Sequence, residues 1–464
     1  MATTQSLDPL SALVNIISTQ TAILQTAYAK NNTKFPSIDD SFQPGPLDFD
    51  PSLTPARNLI VAAATQLIAT VDSPMGFVYS KIGGLYDTVT LGFVVDVDIP
   101  DILNEAGPEG LHVDKLSEVT GVDASYIARV MRYLATSHIF KELSPDVFAH
   151  NRLSSHLTKA KSFKEIKADL CFMSCISSSC SHVSSITRSE ELLKLSTAFI
   201  PFLKNSKQAS APFNMVYNTP EKMWEWTEKP GNELVSRKFT ATMQNIGEMS
   251  PPEVFTNGIE ADMLKSNAIV VDVGGGTGTA IFTIKKAFPN LRYIVQDLDK
   301  QIVAAKKFWD ENDPEAIKSG QVQLQAHNFL HPQPIKGASV YFLRMVIHNW
   351  PDVEAQKILS SIRSAVDFNT ESKLVIFEML VKHVSEATND LGSGSGEGAV
   401  PYPLLPNLGV AGAGLITSLD MSMLTMYNGK ERTLAEYAQL GKESGWKLVD
   451  VKAGELAAFV YTPM

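Results

Sequence analysis

Two different rhythms of apolar positions divide the chain. Residues 7–30 space leucine, isoleucine and valine three or four positions apart, as one face of a helix does, and residues 56–72 and 76–106 again look helical and apolar. The proline-rich stretch 36–55 is typical of an extended connection. From about residue 256 onward, short apolar runs alternate with helical stretches. The pattern therefore predicts a helical first half followed by an α/β domain.

Residues 112–150 have a pattern of their own: a helix, a second helix and a small hairpin. Gly121 ends the first helix, and Asp123 is placed to cap the second. This order is that of a winged helix. Such a module can bind DNA, but its second helix offers only Arg129 and Arg132 in a chain of net charge −10. We therefore expect a structural winged helix, with no nucleic-acid partner.

The last third of the chain predicts a mostly parallel, doubly wound sheet with an antiparallel hairpin at its end. The runs at 445–454 and 456–462 are joined by a tight Gly-Glu turn, which favours the hairpin. Five earlier runs predict the other strands: AIVVDVG (268–274), RYIVQDL (292–298), VQLQAHN (322–328), VYFLRMV (340–346) and KLVIFEM (373–379). The predicted fold class is α/β and Rossmann-like, preceded by an α-helical amino-terminal domain that includes the winged helix.

The chain has 464 residues, which suits two or three domains. Its 44% hydrophobic and 19% charged residues are ordinary for a globular protein with a sizeable core. The predicted segments are a helical region (1–110), the winged helix (111–155), a helical connection (156–255) and the α/β domain (256–464).

The net charge and the amino-terminal sequence limit which classes of partner and which cellular compartment are expected. The net charge of −10 argues against a general binder of nucleic acid or of anionic membranes, but it leaves small or cationic ligands open. No Lys or Arg precedes Lys30, so the sequence shows no secretory leader pattern, and the apolar run 59–71 is short for a bilayer. We expect a cytoplasmic protein without a membrane partner.

Three shorter features leave alternatives open. Cys171, Cys175 and Cys180 lack the distant second ligand pair of a zinc site, so we expect reduced thiols and no metal. The Gly-Ser run at 391–398 is either a flexible surface loop or a lid. The aromatic cluster at 223–226 either packs helices or contributes to a pocket wall.

Polar or glycine residues end all five predicted parallel strands. These are Asp272 with the loop from Gly274 to Gly278, then Asp297, Asn328, His348 and Glu378. Ligands of open α/β sheets bind outside the carboxyl ends of the strands, so this pattern predicts a site. For His348 taken alone, a satisfied turn residue or a metal ligand is the alternative to a proton acceptor.

The glycine loop indicates the kind of ligand. Asp297 lies 19 residues after Gly278, about where a carboxylate accepts hydrogen bonds from a ribose. A dinucleotide fingerprint fails because Thr279 and Ile281 occupy its third glycine position, and no Gly-Lys-Ser/Thr closes a phosphate loop. A nucleoside cofactor without phosphates fits this loop better.

Four motifs together resemble a known family. VDVGGGTG (271–278), QDLD (296–299), HNWPD (348–352) and NGKERTLAEY (428–437) are similar to the S-adenosylmethionine-dependent O-methyltransferases of small molecules. The similarity is to plant caffeate and isoflavone enzymes and to fungal enzymes of aromatic polyketide pathways, and PYPLLPNLG (401–409) favours the fungal group. The resemblance implies S-adenosylmethionine as cofactor, an aromatic small-molecule substrate from secondary metabolism, and a homodimer formed by the helical half.

The resemblance also implies site residues. His348 matches the general base, and the acids that flank and orient it match Glu378 and Glu431. Gly274, Gly276 and Gly278 would hold the methionine part of the cofactor, and Asp297 the ribose. Asn328 and Phe329 would lie at the adenine, where the family usually has aspartate for Asn328, and Arg344 stands where a lysine is frequent. Asp272 would support the loop or touch the cofactor. Substrate-lining positions match Phe239, Met243 and Met423, which are otherwise ordinary core residues.

The chemistry agrees with a histidine at this place. A phenol has a pKa near 10 and is a poor nucleophile at neutral pH, whereas histidine titrates near 6.5 and can accept the phenol proton. Such assistance is typically worth about 10² to 10⁴-fold in rate.

Alternatives remain for one residue and for the function. Glu431 could instead be a helix N-terminal acid. Two other function classes stay open: an enzyme of this fold that uses the cofactor charge for a non-methylating, pericyclic-type step, and a regulator that uses the winged helix.

Overall fold

The computed structural model describes most of the chain and divides it into two compact units. The helical unit lies within Met1–Thr197, Glu221–Met249 and Val400–Gly412, and the sheet unit lies within Ala198–Pro220, Ser250–Ala399 and Ala413–Met464. The described residues are 8–159, 189–233, 235–236, 256, 259, 267–366, 371–385, 400–454 and 456–464.

Helices dominate the described residues up to residue 228. They are α1 (Pro9–Lys30), α2 (Thr54–Val71), α3 (Pro74–Asp96), α4 (Ile99–Ala106), α5 (Val113–Thr120), α6 (Ala124–Thr136), α7 (Ser189–Ser196), α8 (Phe199–Lys204), α9 (Pro212–Val216) and α10 (Met223–Thr227). Short 3-10 turns lie at Pro51–Leu53 and Ser154–Leu157.

Helix α1 begins where the sequence supplies a capping side chain. Asp8 accepts the backbone N–H groups of Leu10 and Ser11 and so satisfies two free donors at the start of α1. The predicted helical stretch 76–106 is two helices rather than one, because the chain turns at Asp98, whose φ is +58°. That is a left-handed conformation which a helix cannot continue through.

A three-stranded sheet completes the module that contains α5 and α6. Its strands are β1 (Leu111–His112), β2 (Lys141–Ser144) and β3 (Val147–Ala149), in the order β1-β3-β2 with antiparallel pairing. Arg132 of α6 is paired with Asp146 of the hairpin turn at 2.7 Å. One of the two arginines on the second helix is therefore engaged within the module.

The sheet unit is built on seven strands in the order β11-β12-β8-β7-β4-β5-β6. The strands are β4 (Ile269–Val273), β5 (Arg292–Asp297), β6 (Val322–Ala326), β7 (Val340–Arg344), β8 (Lys373–Glu378), β11 (Trp446–Lys452) and β12 (Ala457–Pro463), and a separate short pair is β9 (Leu380–Val381) with β10 (Arg432–Thr433). Strands β4 to β8 pair in parallel, and β12 pairs antiparallel with β8 and β11. The predicted sheet and its terminal hairpin are confirmed.

Further helices lie between or beside these strands in the sequence. They are α11 (Thr279–Ala287), α12 (Asp299–Asn312), α13 (Pro314–Lys318), α14 (Asp352–Arg363), α15 (Gly409–Tyr427) and α16 (Leu434–Glu443). The central strands are buried almost throughout, as strands covered on both faces are. By length and composition alone, helix α15 could cross a membrane. A core helix of a globular protein can have the same length and composition.

The strand order places the candidate residues. The chain runs from β4 outward through β5 and β6 and then returns to the other side of β4 with β7. The carboxyl ends of β4 and β7 therefore flank the point where the direction of winding reverses, which is where open α/β sheets bind ligands. The glycine loop follows β4, and His348 follows β7.

Candidate active site

His348 lies on a short turn four residues beyond the end of its strand. The sequence suggested that the strand itself runs to His348, but β7 ends at Arg344 and Met345 has a φ of +52°. The turn Ile347–Asn349 is a 3-10 helix, and His348 is only 4% exposed within it. The imidazole is thus presented by a turn at the sheet edge and not by the strand.

Glu431 holds the ring of His348. Its Oε1 lies 2.6 Å from Nδ1, and both side chains are buried. Glu431 precedes β10, and its own backbone N–H donates to Asp420 of α15 at 2.8 Å. With the Nδ1 proton donated to Glu431, the ring nitrogen able to accept a proton is Nε2.

Glu378 plays a different part from the one expected of it. Its Oε1 accepts the backbone N–H groups of Val346, Ile347 and His348 at 2.9, 2.7 and 3.3 Å. The other oxygen, Oε2, is 3.8 Å from His348 Nδ1, too far for a hydrogen bond. Glu378 therefore fixes the backbone of the turn and acts on the ring through its charge.

These charges set the pKa of His348. Burial alone would lower it, but the carboxylates of Glu378 and Glu431, with a smaller contribution from the Met345 carbonyl, outweigh burial and raise the pKa above its usual value. Burial likewise raises the pKa of Glu378, against the opposing effect of His348. The imidazolium form is thus stabilised, as a proton acceptor requires.

The same three side chains could also hold a metal ion. Ligand atoms of His348, Glu378 and Glu431 lie within 4.8 Å of one another. The 2.6 Å between Nδ1 and the Glu431 oxygen is the distance of a charge-assisted hydrogen bond, which accounts for the contact without an ion. The absence of a metal stays a prediction, and chelation tests it.

The glycine loop after β4 is shaped by backbone requirements. Gly274, Gly276 and Gly278 have φ of +76°, +58° and +82°, which disfavour any side chain. A Cβ on Gly278 would lie 2.8 Å from Trp309, and one on Gly274 would lie 3.1 Å from Val346. A Cβ on Gly276 would meet nothing within 4 Å, so this glycine leaves open space beside the loop.

Two carboxylates flank this loop. Asp297 Oδ2 accepts the Gly276 N–H at 2.8 Å, and Oδ1 accepts the Leu298 N–H at 2.7 Å. Asp272 is buried, and its Oδ2 has no hydrogen-bond partner among the described residues. Burial, reinforced by Asp297 and opposed by Arg344, raises the pKa of Asp272 to about 7. Burial also raises the pKa of Asp297.

This donor and acceptor set fits a positively charged nucleoside cofactor. S-adenosylmethionine has a ribose diol, an ammonium group and a sulfonium group, and it has no phosphate. Two closely spaced carboxylates with raised pKa values favour a cationic ligand. The open position at Gly276 gives the ligand access to the backbone.

The remaining predicted cofactor residues lie at neighbouring strand ends. Asn328 follows β6, and its Oδ1 accepts the Leu330 N–H at 3.0 Å. Phe329 packs edge-on against Trp350 and lies beside Gly274. Arg344 ends β7, and its charge acts on both Asp272 and Glu378. Arg344 therefore interacts electrostatically with a carboxylate beside the glycine loop and with one that holds the turn of His348.

The predicted substrate residues are only partly described. Phe239 and Met243 lie outside the described residues, as do the three cysteines and the run at 391–398. Met423 is buried in α15, three residues after Asp420. Met223 of the aromatic cluster is also buried and belongs to the short helix α10 of the helical unit.

Sequence reasoning missed Arg432 and Asp420. Asp420 accepts the Glu431 N–H, Arg432 donates to the Ile347 carbonyl beside His348, and Arg432 is fully buried. Arg432 stands next to Glu431 within the quoted motif NGKERT, but a charged residue in a polar motif gives no sign that it is buried.

Models of two known domains match parts of this chain. An O-methyltransferase domain matches residues 198–393, and an O-methyltransferase dimerisation domain matches residues 79–160. An O-methyltransferase of Armillaria gallica is 33% identical over an alignment covering 95% of each chain. A 4-O-methyltransferase of Phanerochaete chrysosporium is 32% identical, with 96% of this chain and 95% of the relative covered.

Solved structures show the same fold. OxaC in complex with sinefungin and meleagrin has a TM-score of 0.66 at 20% identity and covers 98% of this chain and 99% of its own. LepI in complex with SAM has a TM-score of 0.63 at 19% identity and covers 96% of this chain and 100% of its own. At such identities the likeness concerns the fold alone.

Fold, site and relatives define a class of enzyme, the methyltransferases of small molecules. Within that class the chain belongs to the S-adenosylmethionine-dependent O-methyltransferase family, and its relatives named above are fungal. The family and cofactor predicted from the four motifs are thereby confirmed. The dimerisation domain supports a homodimer.

Proposed function

We propose that this enzyme methylates a phenolic hydroxyl group of an aromatic small molecule and that His348 is its general base. The observation that carries the proposal is the buried pair of His348 and Glu431, 2.6 Å apart, at the switch point of the sheet. A general base needs a defined tautomer, and this pair leaves Nε2 to accept the proton.

The bound cofactor supplies a methyl group on a positively charged sulfur, which is a good leaving group. The phenol oxygen forms the new bond to the methyl carbon as the bond from sulfur to carbon breaks. His348 Nε2 accepts the phenol proton, and Glu431 stabilises the resulting imidazolium. S-adenosylhomocysteine and the aryl methyl ether are the products, so atoms and charges balance.

Neighbouring residues would orient the reactants. We propose that Asp297 binds the ribose hydroxyl groups, that the loop from Gly274 to Gly278 holds the methionine part and that Asn328 and Phe329 lie at the adenine. Asp272 and Arg344 would contribute charge beside the cofactor. Met423, with Phe239 and Met243, would line the acceptor site. Holding oxygen, methyl carbon and sulfur in line supplies much of the rate enhancement.

A test of this proposal uses methyl-labelled S-adenosylmethionine and a panel of phenols. We expect label in an aryl methyl ether and an equal amount of S-adenosylhomocysteine, and we expect both to disappear in His348→Ala. Treatment with EDTA should leave the rate unchanged, because no step needs a metal. Transfer to amines or carboxylic acids but to none of the phenols would contradict the substrate class.

A second candidate is a non-methylating step of the pericyclic type. One solved structure of this fold is described as a pericyclic reaction enzyme and has a TM-score of 0.62 at 19% identity. The buried pair of His348 and Glu431 favours methyl transfer, because a pericyclic step needs no proton acceptor. Conversion of a substrate without release of S-adenosylhomocysteine would support this second candidate instead.

We also propose that α3 forms the homodimer interface. This helix exposes an apolar stripe at helical spacing, and most of it lies within the matched dimerisation domain. Its exposed members are Met75, Val78, Tyr79, Ile82, Leu85, Tyr86 and Val89. Analytical ultracentrifugation of Ile82→Asp should show a shift from dimer to monomer, and an unchanged dimer would place the interface elsewhere.

A further inference from the structure

Arg432 is a buried arginine whose donors converge on the catalytic turn. Its side chain is 0% exposed. Nη1 donates to the Ile347 carbonyl at 3.1 Å, and Nη2 donates to the Trp350 carbonyl at 2.8 Å. Nε and Nη2 also donate to Asp352 Oδ1 at 3.1 and 2.8 Å. The two carbonyls flank His348, one residue before it and two residues after it.

The turn itself has few hydrogen bonds of its own. The 3-10 helix Ile347–Asn349 is three residues long, and Trp350 N–H closes it onto the Ile347 carbonyl at 3.1 Å. Such short turns rely on outside partners for their free polar groups. Glu378 accepts the N–H groups of Ile347 and His348, and Arg432 adds a second donor to the Ile347 carbonyl. Arg432 also bonds the Trp350 carbonyl, one residue beyond the turn. A carboxylate and a guanidinium thus bond the same turn, the first through its N–H groups and the second through the Ile347 carbonyl.

The segment that carries Arg432 also approaches His348 through its backbone. Lys430 N–H donates to the His348 carbonyl at 2.9 Å. A Cβ on Gly429 would lie 2.2 Å from that carbonyl oxygen, so the approach needs glycine at this position. Two residues after Lys430, Arg432 of β10 pairs with Leu380 of β9, and Leu380 lies two residues beyond Glu378. The segment is therefore anchored at both ends.

Two successive residues of this segment contact the imidazole of His348 and the backbone on either side of His348. Glu431 holds the Nδ1 of His348, and the next residue, Arg432, holds the carbonyls around it. A displacement of Arg432 would move the Glu431 carboxylate relative to the imidazole. The planar guanidinium can donate to three acceptors at once, which the single ammonium of lysine cannot do with the same geometry.

We propose that Arg432 is a positioning residue that sets the distance between His348 and Glu431 by joining the turn to the segment that carries the acid. The effect on methyl transfer rests on the proposed function, but the effect on the imidazole does not. The geometry of the ring can be measured in the free protein without any substrate.

Arg363 provides a matched control in the same unit. Its Nε, Nη1 and Nη2 donate to the carbonyls of Gly445, Val366 and Met464 at 3.0, 2.8 and 2.7 Å. Arg363 thus joins backbone segments in the same way as Arg432, at the far end of α14. A general loss of stability from removing such an arginine should appear in both variants, whereas a change at His348 should appear only with Arg432.

The test is a titration of the His348 imidazole by nitrogen NMR, with the signal assigned by its absence in His348→Gln. In the unsubstituted protein we expect a downfield Nδ1 proton bonded to carboxylate. Arg432→Lys keeps the charge and loses the planar geometry, so we expect a weaker downfield signal and a lower His348 pKa. Arg363→Met should leave both unchanged, and calorimetry should show wild-type binding of S-adenosylhomocysteine in each variant.

Arg432→Met provides the second variant. Removing a cation alone would raise the pKa of His348, so a lower pKa there would come from a lost contact with Glu431 or Glu378, and the weaker downfield Nδ1 signal would assign that loss to Glu431. With a phenol acceptor, both Arg432 variants should lose about 10²-fold in turnover while the cofactor KM stays constant. An unchanged imidazole signal in both variants would overturn the proposal. Loss of cofactor binding in both variants would also overturn it, because Arg432 would then maintain the folded structure of the whole unit and would not act on His348 specifically.

Discussion

The turn Ile347–Asn349, which carries His348, and the glycine loop lie at neighbouring strand ends but balance their charges differently. At the turn, His348 faces Glu378 and Glu431, so an ionisable base meets acids that raise its pKa. At the loop, Asp272 and Asp297 face each other and each has a raised pKa, with Arg344 as the opposing charge on Asp272. The carboxylates at the turn lie beside a base that can take up a proton, whereas those at the loop gain from a cationic ligand. Chemistry and cofactor binding should therefore respond to separate mutations.

The largest expected effect separates the two regions through His348. His348→Ala should reduce turnover about 10² to 10⁴-fold, because the proton acceptor is lost. Binding of S-adenosylhomocysteine, measured by calorimetry, should stay at the wild-type level because the glycine loop is untouched. A large loss of cofactor affinity would show that the two regions are not independent.

Glu378 tests whether the turn depends on an acceptor oxygen. Glu378→Ala leaves three buried backbone N–H groups without their acceptor and should cost about 3–5 kcal/mol of unfolding free energy. Glu378→Gln keeps an oxygen at this place and should cost much less. Chemical denaturation measures both variants. Equal losses would mean that charge, and not the acceptor, is what the turn needs.

A substitution of Asp272 tests whether the charge of the carboxylates at the glycine loop destabilises the cofactor-free protein. Its pKa is about 7 in the folded protein against 3.8 as the ordinary value, so the folded state holds an extra proton between these limits. Stability is then fully present below pH 3.8 and falls as pH rises through 7. Asp272→Asn should remove this fall and stabilise the cofactor-free protein by roughly 1–3 kcal/mol at pH 8.

Thermal unfolding with and without S-adenosylmethionine checks this prediction. The gain of Asp272→Asn should shrink when the cationic cofactor is present, because the cofactor stabilises the charged carboxylate of the wild type. The same pH dependence in both proteins would place the titrating group elsewhere.

The smallest expected effect concerns the ribose. Asp297→Asn should weaken cofactor binding about tenfold, since an amide replaces one of the acceptor oxygens. Asp299→Asn is the control, because Asp299 is exposed at the start of α12 two residues later. Turnover at saturating cofactor should change little in either variant. A loss of turnover without a loss of affinity would move Asp297 from binding to chemistry.

Sequence alone predicted the sheet because its signal is local. Apolar runs ending in glycine or polar residues placed Asp272, Asp297 and Glu378 at the edge where the structure has them. The parallel order follows from alternating strands and helices. The winding reversal between β4 and β7 then brings the glycine loop and His348 to one place.

The remainder depends on contacts between distant segments. His348 lies on a turn shaped by Glu378, whose partners are backbone groups that leave no mark in a sequence. Glu431 is 83 residues from His348 along the chain and meets it only because a separate segment folds back. The burial of Arg432 was unforeseen for the same reason, and the break at Asp98 depends on a single left-handed residue.

The most direct test of the central claim is the pH dependence of single-turnover methyl transfer. We predict a rate that rises with pH through a pKa above 6.5, because His348 must be neutral to accept the proton and its pKa is raised by Glu378 and Glu431. In Glu431→Gln the rising limb should move to lower pH and the plateau should fall. A limb that stays in place in Glu431→Gln, or persists in His348→Ala, would contradict the assignment of His348 as the base.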